Sequence, residues 1–422
     1  MKSNERMSLN KAWELIIEEY KIIEKIKKNG IFEISADQIR KFKEPRLMAK
    51  WDSSDSLPEV LKKNKINILP NSRVSYVLGD FLLYKELPEL DEHVTQMVHV
   101  EIPEFETIDI NNISSESNAI NVLIISGILD DFLDSSPNIS TFNGRMRTGE
   151  FDFFVNTYSN NRSHIVVKNA QCEIDGGFEN EESVVIMEAK NVIHKDFHIR
   201  QLYYPYRLWK ERVNKPIRLV FSVYSNKIYR LFEYKFNDLN DYSSIELIKS
   251  KNYSLQDTRI TLDDLIEVRN ETTVLTDDNK DKSLVPFIQA DSLERVISIL
   301  ENIYDNPMTL LEISELMQFN IRQSDYYYNA GKYLELFNKK SKGKRFVELT
   351  ALGKKIYGMD YKKRQLCLVA LILKHKIFAD FFDFMVENGE QPSKFMIEKK
   401  WENMAFVEKD KYLEEQLQWV VG

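Results

Sequence analysis

Cysteine is nearly absent from this chain of 422 residues: Cys172 and Cys367 are its only two. Two thiols build neither a disulfide framework nor a cysteine zinc set, and they fit a reducing compartment such as the cytoplasm. Glycine and proline are scarce as well, 13 and 11 residues, which excludes a collagen-like or low-complexity chain. Long apolar runs are missing. The most apolar window, "AINVLIISGIL", falls far short of the ~20 residues that span a bilayer, so no membrane partner is expected. Residues 1–30, "MKSNERMSLNKAWELIIEEYKIIEKIKKNG", read as a charged amphipathic helix without the apolar centre of a signal peptide.

What remains is a globular composition, 43% hydrophobic and 29% charged, in a chain long enough for two or three domains. A formal net charge of −8 does not advertise nucleic-acid binding, but its distribution is uneven. Residues 331–370 hold eleven Lys and Arg against three acids, whereas residues 101–138 hold eight acids and no Lys or Arg. A locally basic, globally acidic chain fits a DNA enzyme with an acidic body or metal site. A solvated basic face is the plainer account of the same numbers.

No internal repeat is present. The pattern divides into an N-terminal α+β region (1–110) suited to DNA recognition or dimerisation, an α/β core (111–268), a linker (269–286) and a mostly helical C-terminal domain (287–422). In the first, Ser35 with Gln38 forms the pattern of a capping box. "SESNAINVLIISGILDDFL" predicts one helix over 115–133. In the core, "GEFDFFVN", "SHIVVKNAQCEIDGG" and "VVIMEAK" predict strands, "KDFHIRQLYYPYRLWKERV" a helix, and "KPIRLVFSVYS" and "KIYRLFEYKF" two more strands. That is an α/β/α sandwich order. The C-terminal domain runs through three helices, a basic turn "NKKSKGKRF" and a strand, the order of a winged helix-turn-helix.

The strongest chemical signal is residues 171–191, "QCEIDGGFENEESVVIMEAKN". The run "VVIM" is apolar on both parities, as a strand covered on both faces should be. It ends in Glu188 and Lys190, which share a face because side chains two apart on a strand point the same way. The turn "ENEES" folds this strand back on "IDGGF" and brings Asp175 near Glu188. Buried charges are costly unless paired or metal-bound. Two carboxylates can hold a hard divalent cation, and a neighbouring lysine can stabilise charge developing on a phosphate. Other Glu-x-Lys triplets, such as Glu19-Tyr20-Lys21, lack the upstream aspartate hairpin.

With these residues in place, the stretch from 115 to 236 resembles the PD-(D/E)XK nuclease superfamily, and within it type II restriction endonucleases. The order "GRMRTGEFDFFV", "EIDGGFE", "MEAKN" and "DFHIRQLYYPYRLW" looks like one group of these enzymes that carries a C-terminal winged-helix module. The resemblance implies a metal-binding aspartate at Asp175, a second acid at Glu188 and the lysine at Lys190. Asp152 is a rival for the first aspartate, and Glu116 and Glu173 are further acids placed to contribute. Related nucleases often use a glutamine from the following helix, here Gln201, with a tyrosine four residues on; this chain has Pro205 there and Ile174 where a proline usually precedes the aspartate. Tyr203, Tyr204 and Tyr206 read as packing between helix and sheet, and His194 and His198 as surface or structural residues.

The implied enzyme is a site-specific deoxyribonuclease that hydrolyses double-stranded DNA, with Mg²⁺ as cofactor and Mn²⁺ as its substitute. It would act as a homodimer beside a cognate DNA methyltransferase. Arg322, Gln323 and Ser324 open the predicted recognition helix, where base contacts arise, and Tyr326 is placed for the DNA backbone. Lys342, Lys344 and Arg345 lie in the wing, where phosphate contacts add affinity. Arg46, Lys50 and Arg73 are weaker DNA candidates. Two alternatives stay open: a repair or modification-dependent nuclease, and a winged-helix transcriptional regulator whose nuclease-like domain is inactive.

Overall fold

A computed structural model of the chain describes residues 7–89, 93–97, 102–135, 137–275, 288–342, 344–393 and 395–397. The expected α/β class is observed. A seven-stranded mixed sheet lies at the centre and a helical region follows it. Across the sheet the strands run Val94–Gln96, Ile245–Ser254, Ile228–Phe236, Ile217–Ser225, Val184–Lys190, Gln171–Glu179 and Ile139–Arg147.

The Val184–Lys190 strand carries Glu188 and Lys190. It pairs antiparallel with Gln171–Glu179 and parallel with Ile217–Ser225, the helix Arg200–Lys210 making the crossover. Alternation along it feeds two cores. Val185, Met187 and Ala189 pack with the helices Glu116–Ile125 and Ile128–Leu133 on one face. Ile186 packs with Leu202, Tyr203 and Tyr204 of the crossover helix on the other. Both faces are therefore dry, and Glu188 and Lys190 fall on the parity of Ile186, toward the crossover helix.

Several elements differ from the sequence expectation. The 115–133 segment is two helices, broken at Gly127, whose φ of 70° lies in the left-handed region that glycine adopts without a steric penalty. "GEFDFFVN" is not the first strand of the sheet. Glu150–Asn156 pairs with Arg162–Lys168 as a separate ribbon that covers the crossover helix, placing Phe151 and Phe153 against Tyr203 and Tyr204. The sheet's edge is instead Ile139–Arg147, a mostly exposed strand with two register shifts. Residues 269–271 end a helix, Leu262–Glu271, instead of opening a linker; of the predicted linker, residues 276–286 lie outside the described residues.

The N-terminal region folds around a three-stranded sheet, Ile31–Ser35, Ser75–Gly79 and Asn67–Pro70, with the Ser35–Gln38 capping box formed. In the C-terminal region, the helices Leu293–Asn302, Leu310–Met317 and Ile321–Tyr333 precede the hairpin Phe337–Lys342 and Lys344–Leu349. Met308, between the first two helices, bridges Val347 of the hairpin. Three helices, a bridge and a two-stranded wing follow the order expected of a winged helix-turn-helix.

Candidate active site

Sheet pairing between Gln171–Glu179 and Val184–Lys190 stops at Met187 opposite Gly176. Beyond that point the two strands separate, and the Asp175 carboxylate closes the fork by accepting the backbone N–H of Ala189 at 2.9 Å. The glycines permit this close pairing. A side chain at Gly177 would meet the ring of Phe142 at 2.3 Å, and that ring is stacked on Trp209 at 3.9 Å.

Glu188, 6% exposed, sits immediately past the fork. Its Oε1 accepts from Lys190 Nζ at 2.5 Å and from the Gln201 amide. Asp175, Glu188, Lys190 and Gln201, all singled out in the sequence, thus meet in one cleft of about 510 Å³. Glu116, first residue of its helix, lines the same cleft, and so does Glu173. Glu173 is turned to the exposed edge, where it pairs with Arg145 at 3.3 Å. Asp152 does not belong here. It lies on the outer ribbon with 63% of its side chain exposed, paired with His164 at 2.7 Å, because that ribbon never joins the central sheet.

One acid in the cleft was not found from sequence. Asp52 lines it, and its Oδ1 is buried without a hydrogen-bond partner. Nothing in "AKWDSSDS" marks it, since its place comes from docking of the N-terminal region. The backbone carbonyl of Asp52 accepts from His198 N at 2.9 Å, and the next two residues bind the Asp196 carboxylate, Ser53 Oγ and Ser54 N each at 2.8 Å. Tyr84 donates to the Trp51 carbonyl at 3.2 Å.

Electrostatics follow from this crowding. Burial first, and then the charge of Asp175, pushes the Glu188 carboxyl up to about 8 against the pull of Lys190. Burial alone would lower Lys190, but the carboxylates of Glu188, Asp52, Glu116 and Asp175 outweigh it and hold the ammonium protonated, above the ordinary lysine range. Glu116 is raised, mainly by burial. Four acids share one central cation, and the cleft's rim supplies five more: Arg46, Lys50, Arg73, Arg145 and Arg200. Among the described residues no three His, Cys, Asp or Glu side chains converge closely enough to hold a metal ion together. Two buried oxygens of the cleft nevertheless lack a donor, Asp52 Oδ1 and Gln201 Oε1. Hard oxygen donors without hydrogens suit a divalent cation of the Mg²⁺ type.

His198 is structural. Its Nδ1 accepts the Arg200 N–H at 3.2 Å and lies 3.2 Å from the Tyr242 hydroxyl; burial, with the charge of Arg200, pushes it down to about 3. Folding should therefore weaken in acid. Between the ordinary value near 6.5 and the folded value, the unfolded chain binds the extra proton, so stability present above pH 6.5 is lost as pH falls. The loss approaches about 1.4 kcal/mol per pH unit. Urea midpoints at pH 7 and pH 5 measure it. A His198→Phe protein should lose less between the two pH values, and an equal loss would remove His198 as the cause.

The C-terminal region abuts the same end of the sheet. Asn191, directly after Lys190, donates to Asn302 of the first helix at 3.2 Å, and Asp52 N lies 3.4 Å from Gln318 in the turn before the helix Ile321–Tyr333. Of the predicted DNA contacts, Arg322, Lys344 and Arg345 are exposed, Arg322 standing over the Tyr326 ring. Gln323 lines a second cleft beside Arg295 and Asp55. Ser324 is 0% exposed, so base contact from it is excluded: three consecutive helix positions sweep through about 200°, and one of them turns inward. Lys342 has its side chain outside the described residues. The basic run is also weaker than its count, because Lys339 pairs with Asp325, Lys362 with Asp264 and Arg364 with Glu301.

The chain matches three families, each described as a domain of unknown function: DUF6996 over residues 10–78, DUF6997 over residues 79–254 and DUF7226 over residues 295–416. No curated protein and no solved structure matches it. Among the described residues no helix is long and apolar enough to cross a membrane.

Proposed function

We propose that the protein is a Mg²⁺-dependent endonuclease that hydrolyses phosphodiester bonds of double-stranded DNA at or near a short sequence, in the manner of a type II restriction enzyme. One observation carries this reading: a buried strand delivers Glu188 and Lys190 to the point where it parts from its neighbour, and Asp175 stands at that fork in an arginine-rimmed cleft. Buried ionic groups cost several kcal/mol each when desolvated. A site held only for stability would be better built from apolar residues.

Asp175 and Glu188 are the groups that would hold the cation. Bound there, Mg²⁺ supplies an activated water and offsets phosphate charge. The chain's own groups do the rest. Lys190, fixed beside Glu188, offers a permanent N–H donor to charge developing on the phosphate. Gln201 holds Glu188 in orientation. The Arg200 guanidinium, whose Nε is buried without a partner, and the exposed Arg46, Lys50 and Arg73 face the phosphate backbone. The exposed start of the recognition helix and the wing add DNA contacts a short way from the cleft. Two cuts on opposite strands call for two copies of the site, hence a dimer on DNA, and a restriction role calls for a protecting methyltransferase.

The test is purified protein on mixed bacteriophage DNA, with Mg²⁺ and with EDTA, beside Glu188→Ala. Discrete Mg²⁺-dependent fragments that vanish in the variant are expected. Intact DNA in every lane, methylated substrates included, would overturn the reading and leave DNA binding by the winged helix as the main activity.

A further inference from the structure

We propose that Asp52 is an acidic cation ligand of this site, so that the N-terminal region completes the active centre in addition to any role in recognition. The inference rests on the nuclease reading and deepens it.

Three observations lead there. First, Asp52 lies in the cleft of Asp175, Glu188 and Lys190, and its charge acts on Lys190, Glu188 and Glu116 alike. Second, its Oδ1 is buried and unpartnered, and the same is true of Oε1 of Gln201, a residue only 8% exposed whose amide N–H holds Glu188. A buried acceptor without a donor bears its desolvation uncompensated. Two such oxygens in one cleft mark a place for a group that accepts their lone pairs. Third, Asp52 is held rigidly. Its neighbours are clamped to the Asp196–His198 strand, through the Asp196 carboxylate and His198 N, and that strand leads directly into the helix bearing Gln201. An aspartate that served only as a surface charge would not be anchored on both sides to the element carrying the site.

The cation would contact Asp52 and Asp175, two carboxylates lining the one cleft, with waters in its other positions.

The experiment is a calorimetric titration of the full-length protein with MnCl₂, comparing wild type, Asp52→Asn and Asp175→Asn. Asp52→Asn should bind Mn²⁺ roughly tenfold or more weakly than wild type, or take up fewer ions per chain. Its Mn²⁺-induced rise in melting temperature should shrink, while its melting temperature without metal should fall slightly, since the attraction of the carboxylate to Lys190, Lys50 and Arg200 is lost. If Asp52→Asn binds like wild type while Asp175→Asn binds weakly, the assignment of Asp52 is overturned and the nuclease reading stands. If wild type itself shows no saturable Mn²⁺ binding, both fall. Asp52→Ser, which removes the same charge with a smaller side chain, carries the same expectations should the asparagine protein fold poorly.

Discussion

Lys190→Met should cut DNA cleavage by a factor of about 10²–10³, the usual cost of losing one preorganised donor at developing charge. It should also destabilise the metal-free protein by roughly 3 kcal/mol, because removing one partner of a buried ion pair strands the other. Here the stranded groups are four carboxylates, those of Glu188, Asp52, Glu116 and Asp175, whose charges keep the lysine protonated. Glu188→Gln should behave differently. Burial and Asp175 already work against the ionised Glu188, pushing its carboxyl up to about 8, and an amide of the same shape leaves Lys190 the carboxylates of Asp52, Glu116 and Asp175. That variant should lose cleavage and keep its fold. Urea unfolding with EDTA, set beside initial cleavage rates with Mg²⁺, separates the two. Equal stability loss in both proteins would mean that Lys190 and Glu188 form a simple pair. Full activity in Lys190→Met would remove the lysine from the chemistry.

The central strand was legible because its signal is local. Apolar residues on both parities demand two covered faces, and the short turn after Glu179 admits one hairpin register, so Asp175 had to come near Glu188. Gln201 was singled out by the resemblance to nucleases that use a glutamine from the helix after that strand, and the observed bond to Glu188 needs only the βαβ crossover to form. Tyr203 and Tyr204 are buried in the helix–sheet interface, as their spacing predicts.

What sequence did not reveal is where elements dock. Asp152 sits in an alternating strand whose pattern is the same for an outer ribbon as for the edge of the main sheet. The true edge strand, Ile139–Arg147, is exposed and irregular and carries almost no apolar period. Asp52 belongs to a segment with no periodicity at all, and only packing of the N-terminal region brings it into the cleft. Counting charges misled for a related reason. Arg364 adds to the basic run in the sequence, yet it is 1% exposed and is spent on Glu301.

That pair carries the second large effect. Glu301 Oε1 accepts from Arg364 Nη1 at 2.5 Å, while Oε2 accepts from Asn226 N at 3.0 Å and from Ser225 Oγ at 3.3 Å. One carboxylate therefore neutralises a buried guanidinium and ties the first C-terminal helix to the turn at Ser225 and Asn226 of the sheet. Glu301→Ala would leave Arg364 with the Tyr357 carbonyl at 2.6 Å as its remaining hydrogen-bond acceptor among the described residues. An unpaired buried charge of this kind costs about 3–5 kcal/mol. The loss should fall on the C-terminal region and its docking, so the urea transition should move to lower denaturant and split in two. DNA affinity should drop with it, whereas Mn²⁺ binding at Asp175 should persist. Glu301→Gln keeps the acceptor shape without the charge and should lie between. A single transition at the wild-type midpoint in Glu301→Ala would show that the C-terminal region holds its place without this carboxylate, and that the contact of Asn191 with Asn302 and the apolar packing around Val192 suffice.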